Sequence, residues 1–312
     1  MLRYLVVLLD DTSVSYCHYS NKKTERKLIS LEDLRAGIVF AMKENLMIQF
    51  VYPDYELNQE YKDIIHSIDH SKIVPVGYVE QGDVIVANSV EELSSCVIDE
   101  NSTYVLCSNI QELMDNCDLL KNLIGRVTRL NLVFTDIEDF TSAVFERYKN
   151  FLESMIRELE QLFVSGKSPQ LNILTDRMLL DTMNNCNAGW ENITLAPNGK
   201  FYVCPAFYWT DEDCSIGNLH DGPNIKNPQL YKLSYASLCR NCDAYQCKRC
   251  IWLNSKMTYE VNTPSHEQCV VAHLERNASR QLLLNIRKYG IFLPDREIKE
   301  IEYLDPFDVY KI

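Results

Sequence analysis

"YLVVLLDDTSVSYCHYS", residues 4–20, sets an unbroken apolar run against a polar loop with a single cysteine. The run from Tyr4 to Leu9 has no polar alternation, as expected of a strand covered on both faces. Strands of that kind build parallel sheets, and ligands gather where loops leave their carboxyl ends. The loop from Asp10 onward is therefore the first place to look for chemistry.

The sequence after it keeps alternating between two periods. Ser30 and Asp33 form a capping box, and Leu31, Leu34, Ile38 and Ala41 share one helical face. "MIQFVY" (47–52) reads as the next strand, and a polar helix follows near 57–68. "KIVPVGYV", "DVIVAN", "STYVLCS" (102–108) and "RLNLVFT" (129–135) are further strands. A long amphipathic helix over 138–165 carries Val144, Tyr148, Phe151, Met155, Leu159 and Leu162 on one stripe, and "QLNILTD" (170–176) closes the series as a strand. Alternation of this kind predicts an α/β fold of parallel strands joined by crossovers, and either an open doubly wound sheet or a partial barrel satisfies it.

The chain has 312 residues, enough for two domains, and 46% of them are hydrophobic. Its net charge of −13 argues against a nucleic-acid surface, which needs a basic stripe. The apolar run at the start is too short for a signal peptide, and no later segment approaches the ~18 apolar residues of a membrane span. A cytoplasmic protein with neither membrane nor nucleic-acid partners is expected.

Cysteine usage changes near residue 180. Cys17, Cys96, Cys107 and Cys117 are scattered, whereas Cys186, Cys204, Cys214, Cys239, Cys242, Cys247, Cys250 and Cys269 crowd into a segment of weak periodicity. In a reducing compartment such crowding indicates metal ligation, with metal replacing a missing apolar core. "CRNCDAYQCKRC" (239–250) is C-x2-C-x4-C-x2-C, and each close pair can aim both sulfurs at one metal. Thiolates suit zinc and iron–sulfur clusters alike. In "CNAGWENITLAPNGKFYVCPAF" (186–207), Pro197, Asn198 and Gly199 mark a hairpin turn that brings Cys204 near Cys186. Eight thiols divide into two four-cysteine sites.

The spacing C-x12-G-x4-C, then a double pair, then a last cysteine resembles the SPASM domain of radical S-adenosylmethionine enzymes, which holds auxiliary [4Fe–4S] clusters. The double pair is one residue shorter in each of its last two gaps than the usual C-x2-C-x5-C-x3-C. The resemblance implies one site from Cys239, Cys242, Cys247 and Cys269 and another from Cys186, Cys204, Cys250 and Cys214, filled by two [4Fe–4S] clusters, with zinc in one or both as the alternative. It also implies that residues 1–180 form a radical-SAM-type partial (β/α) barrel, 181–275 the SPASM-like domain, and 276–312 a C-terminal helix and tail.

That barrel's catalytic loop follows its first strand with C-x3-C-x2-C. Here the place reads Ser13-x3-Cys17-x2-Ser20, and "QFVYPDYEL" stands where a glycine-rich cofactor motif is expected. Serine is a poor iron ligand at neutral pH, because its hydroxyl is not readily deprotonated. No C-x3-C-x2-C occurs in residues 1–180, so conventional S-adenosylmethionine cleavage is not expected. Over nearly its whole length the chain resembles the CXXX repeat peptide maturases of Bacteroides-type bacteria. This implies a role in maturing a ribosomally synthesised cysteine-repeat peptide, by binding the precursor or a partner enzyme, with a separate leader-peptide-binding protein. Two alternatives stay open, namely an enzyme working through its iron–sulfur sites or Cys17, and a zinc-stapled scaffold.

Other residues are expected to be structural. Adjacent residues on extended chain face opposite ways, which separates Cys17 from His18. Asp10 and Asp11 read as turn or capping residues, and Asp54 and Glu56 face the same cleft. Cys96, Cys107 and Cys117 read as small hydrophobes. Trp252 is expected to cover the metal sites, with His220, His266 and His273 flanking them. The tail over 290–312 has no assignable role.

Overall fold

The computed structural model describes residues 2–183, 185–290 and 296–299, so the 290–312 tail lies mostly outside the described residues. The elements in chain order are β1 (Tyr4–Leu8), α1 (Leu31–Lys43), β2 (Met47–Val51), α2 (Gln59–His66), β3 (Ser71–Pro75), β4 (Val84–Ala87), α3 (Val90–Ser95), β5 (Thr103–Ser108), α4 (Ile110–Asp115), α5 (Cys117–Ile124), β6 (Arg129–Phe134), α6 (Ser142–Val164), β7 (Gln170–Leu171) and α7 (Asn172–Leu179). The cysteine-rich part adds β8 (Asn192–Leu195), β9 (Lys200–Tyr202), α8 (Pro205–Thr210), β10 (Gly217–Asn218), β11 (Gly222–Pro223), α9 (Ile251–Thr258) and α10 (His266–Arg287).

Strands β1 to β7 lie side by side in chain order, and all six of their pairings are parallel. A doubly wound sheet would reverse that order at a switch point. Unbroken order puts the crossovers on one side, which is the barrel arrangement. Leu5 and Val7 face outward, packing with Leu34, Ile38 and Ala41 of α1 and with Tyr61, Ile64 and Ile65 of α2. Val6 and Leu8 face the concave side with Val51, Ile73, Val86, Val105 and Val133. Each such aliphatic side chain contributes about 1.5–3 kcal/mol by leaving water.

The predicted helix start forms with Ser30 as N-cap, its hydroxyl accepting from the Asp33 N–H and donating to the Asp33 carboxylate. The predicted hairpin forms as β8 and β9, antiparallel, with Gly199 at φ +73° in its turn. Its first strand also pairs in parallel with β1, so one sheet runs from the barrel into the cysteine-rich segment. A Cβ on Gly37 of α1 would overlap Leu195 of β8, so the helix lies close over that junction.

The stretch 170–176 differs from its reading as a strand. Only Gln170 and Leu171 pair, and the chain then turns into α7. Asn172 supplies the reason. Its side-chain Oδ1 accepts the Leu132 N–H at 2.8 Å, and its Nδ2 donates to the Leu132 carbonyl at 2.9 Å, so an amide side chain replaces the next rung of the ladder. Helix α10 packs along α6 and α7 and closes that side of the barrel.

Candidate functional site

The loop after β1 is a finished structure in itself. Asp10, fully buried, accepts from the Thr12 N–H (2.8 Å), the Thr12 hydroxyl (2.6 Å) and the Tyr55 hydroxyl (2.9 Å). Ser13 uses both directions of its hydroxyl: it accepts the Asp10 N–H at 3.0 Å and donates to the Val51 carbonyl at 2.8 Å. Asn21 donates to the carbonyls of Asp11 and Ser13 at 2.7 and 2.9 Å. The Asp11 carboxylate takes the Tyr208 hydroxyl and faces Lys23 at 3.4 Å, and Lys23 also reaches Glu212 at 2.5 Å. Asp10 and Asp11 thus tie the loop to Tyr55, just beyond β2, and to α8, a stronger role than solvated turn residues.

This loop walls a cleft of about 500 Å³ at the strand ends, within the usual range for small-molecule and peptide pockets. Its lining mixes polar groups from Thr12, Asn21, Lys23, Arg26, Asn88 and Thr135 with a comparable share of apolar surface. Asp54 faces the same cleft, 3.9 Å from Arg26, whereas Glu56 is tied to Lys62 outside its lining. Ser13 and Ser20 also line it, but Cys17 is not among its described lining residues. The three aligned positions therefore do not converge. Cys17 instead joins a small core with Tyr19, Val203, Cys204 and Ile251 on the cysteine-rich side. His18 turns the other way and bonds the Phe134 carbonyl at 2.9 Å. Burial lowers its pKa, keeping the ring neutral, with Nδ1–H as the donor.

The cysteines fall into two neighbourhoods. Cys239, Cys242 and Cys247 pack together beside Met183 and Ala236. His273 of α10 stands 3.9 Å from the Cys242 sulfur, and Cys269 lies one turn earlier on that helix. Burial pushes the Cys242 thiol up to about 11 and Cys247 higher still, with neighbouring cysteines adding to each. The second neighbourhood holds Cys186, Cys204 and Cys250, electrostatic neighbours of one another. Burial pushes Cys250 up to about 12 and Cys204 well above the ordinary thiol value, and Cys186 adds to both. Cys214 stands apart: exposed, it donates to Asp211 at 3.6 Å. His220 and His266 pair with Asp221 and Glu267. Among the described residues, no three or more Cys, His, Asp or Glu side chains stand close enough together to hold a metal ion as they are placed.

Two features hold the 239–250 segment in position. Asp243 bonds Arg177 at 3.1 Å, Arg276 at 3.3 Å and Arg280 at 2.9 Å, a charge cluster buried between the segment, α7 and α10. Burial works against the Asp243 carboxylate, but the three guanidinium groups prevail and hold its pKa below the usual range. The Ala244 N–H also donates to the Cys242 sulfur at 3.5 Å, a contact that strengthens when sulfur is a thiolate. Charge pairing around Asp243 carried no spacing signal, and neither did the Ser13 lock. Trp252, the expected cover, packs edge-on against Tyr19 at 5.7 Å over the second neighbourhood. No helix among the described residues is long and apolar enough to cross a membrane.

No family model and no curated protein match the chain. Solved structures do match it. The structure of anSMEcpe with bound AdoMet superposes with a TM-score of 0.65 at 11% identity, covering 92% of this chain and 96% of that one. anSMEcpe with AdoMet and the Cp18Cys peptide gives 0.64 at 11% identity, covering 93% of this chain and 100% of that one. At such low identity the likeness concerns the fold alone, a mixed α/β architecture built on a large, mostly parallel sheet that the chain shares with anSMEcpe.

Proposed function

We propose that this protein is a peptide-maturation component that keeps the radical S-adenosylmethionine/SPASM architecture without that family's cofactor cleavage. It holds a cysteine-bearing precursor peptide, of the CXXX-repeat kind, in the cleft at the strand ends. One observation carries the reading. Ser13 has both hydrogen-bonding directions committed to Asp10 and Val51, and Cys17 packs away from the cleft. Cys107 is the one thiol among the described lining residues, and its S–H faces the Ser15 carbonyl at 3.5 Å. Three thiolates for a cleavage-competent cluster are not gathered there. The likeness to a fold seen with a bound peptide supports a peptide as the occupant.

The lining explains how a peptide would be held. Thr12, Thr24, Asn88 and Thr135 offer hydroxyl and amide groups to an extended backbone, while Arg26 and Asp54 offer charge at one edge. The cysteine-rich segment, 181–275 in this division of the chain, would carry two metal centres. Cys239, Cys242, Cys247 and Cys269 supply one, and Cys186, Cys204 and Cys250 anchor the other, with Cys214 the fourth by family spacing. The donor type suits such metals, soft sulfurs with backbone N–H groups directed at two of them at helix starts, although among the described residues the side chains as placed do not converge on one point. When bound, such a centre clamps the segment, and an iron–sulfur cluster also passes single electrons. A separate leader-binding protein completes the assembly.

The test is made on anaerobically purified full-length protein. Incubation with S-adenosylmethionine and dithionite is expected to yield no 5′-deoxyadenosine, while a fluorescent cysteine-repeat peptide binds saturably and is displaced by unlabelled peptide. Production of 5′-deoxyadenosine, or absence of peptide binding with and without the leader-binding partner, overturns the reading. Iron, sulfide and zinc analysis of the same sample distinguishes clusters from zinc.

A further inference from the structure

A second, smaller chamber lies beside the first loop, and its polar groups do not balance. We propose that this chamber, walled by β6, α10 and residues 246–248, binds a primary carboxamide, the –CO–NH2 group of a small amide or of an Asn or Gln side chain.

Size and wall set the first limits. The chamber is half-open and measures about 40 Å³, room for roughly one or two water-sized groups. Its wall is mostly apolar, with Leu132, Phe134, Ile137, Ile173 and Val271 contributing, while Gln246, Lys248, Gln268 and Glu275 bring polar groups. Cys247, between Gln246 and Lys248, also lines it, a weak donor at most. His18 stands in the wall, bonded through Nδ1 to the Phe134 carbonyl at 2.9 Å. Asn172 lines it too, but spends both ends of its amide on Leu132. An apolar wall around a few polar groups suits an apolar stem with a polar head better than water alone.

The hydrogen-bonding groups left over decide what that head must be. Gln246, 3% exposed, donates from Nε2 to the Ala272 carbonyl at 2.7 Å, which fixes the direction of its amide. Its Oε1 is buried without a hydrogen-bond partner among the described residues, and so is Oε1 of Gln268, which is 4% exposed. Glu275 already takes the Tyr148 hydroxyl at 2.8 Å and faces the Gln246 Nε2 at 3.4 Å. Lys248 supplies the cationic donor, and its charge acts on both His18 and Glu275.

Two acceptors and one donor thus await partners. A primary amide presents the converse set, two N–H donors and one carbonyl. A carboxylate would meet Lys248 but leave both Gln oxygens unpaired and face Glu275. An ammonium would satisfy the oxygens against the charge of Lys248. A hydroxyl has one hydrogen for two oxygens. Each of these leaves a buried polar group or charge uncompensated, which is the means by which such sites discriminate.

The experiment uses the full-length protein and acetamide, with acetate and N,N-dimethylacetamide as controls, read by saturation-transfer NMR on the methyl signals. Acetamide is expected to bind in the millimolar range, which suits so small a ligand. Both controls are expected to bind at least ~10-fold more weakly, the effect of leaving buried acceptors unpaired. Lys248→Met and Gln268→Met should each weaken acetamide by ~10-fold or more, with circular dichroism confirming the fold. Lys248 is only half-buried, so its variant keeps the test open should the helix variant not fold. A peptide carrying Gln, set against the same peptide with Met in its place, then identifies the source of the amide. Displacement of acetamide by the Gln form assigns the site to a peptide side chain, and no displacement assigns it to a free amide. Equal binding of acetamide and N,N-dimethylacetamide, or acetamide binding unchanged in both variants, overturns the assignment and leaves the chamber to water. Absence of acetamide binding to wild type overturns it as well, while the peptide reading of the larger cleft stands.

Discussion

Residues 10–21 and residues 239–250 are both irregular, polar stretches, yet they are held by opposite means. The first closes its own hydrogen bonds: Asp10, Ser13 and Asn21 between them satisfy the turn and fasten it to β2. The second is fastened by long side chains reaching outward, Asp243 against three arginines, Gln246 on the Ala272 carbonyl and Arg249 on the Tyr231 carbonyl, while its sulfurs lie buried among other sulfurs. The difference teaches two ways of fixing a stretch without regular structure: one loop closes its turn with its own hydroxyls and amides, the other is tied by side chains that reach neighbouring elements.

The largest effect is expected from breaking the charged anchor. Asp243→Asn leaves buried guanidinium groups short of a counter-charge and should cost about 3–5 kcal/mol, read as a lower urea midpoint. If its midpoint matches wild type, the segment is held by something other than Asp243. Glu275 tests the packing between the segment and α10 through pH. It accepts from Tyr148 at 2.8 Å and faces Gln246, and burial raises its pKa to about 7 despite those donors and Lys248. A raised folded pKa means full stability below the unfolded value, lost as pH rises from about 4.5 through 7. Relative to wild type, Glu275→Gln should therefore gain up to about 3 kcal/mol between pH 5 and pH 8, checked by thermal melts across that range. A constant difference at all pH values would show that Glu275 does not titrate there. The smallest effect belongs to the hydroxyl lock. Ser13→Ala leaves the buried Asp10 N–H unpaired and should cost about 1–3 kcal/mol by urea denaturation, with the cleft wall loosened. A neutral result would mean that the loop is not fastened through Ser13.

Much of the barrel was legible because its signals are local. The unbroken run of β1, the Ser30 cap and the Pro-Asn-Gly turn each act within a few residues, and each element formed where expected. The strand reading of 170–176 failed for a non-local reason: Asn172 reaches Leu132, and no window around 170 contains that partner. Partial barrel and doubly wound sheet were likewise indistinguishable by alternation, because strand order is a property of neighbours in space.

The cysteine pattern followed the same division. Spacing alone marked Cys239, Cys242, Cys247 and Cys250 as a double pair, and only the structure separates Cys250 from the first three. Spacing could not place Cys17 in one small core with Cys204, which lies far along the chain and comes near because β1 pairs with β8. Nor could it show that Ser13 turns its hydroxyl into the backbone of β2. The sequence by itself determined which residues carry thiols and where most strands, caps and turns begin, because those depend on side-chain chemistry and short-range geometry. Only the tertiary structure decided which thiols face one another, because that depends on the register of strands brought together from opposite ends of the chain.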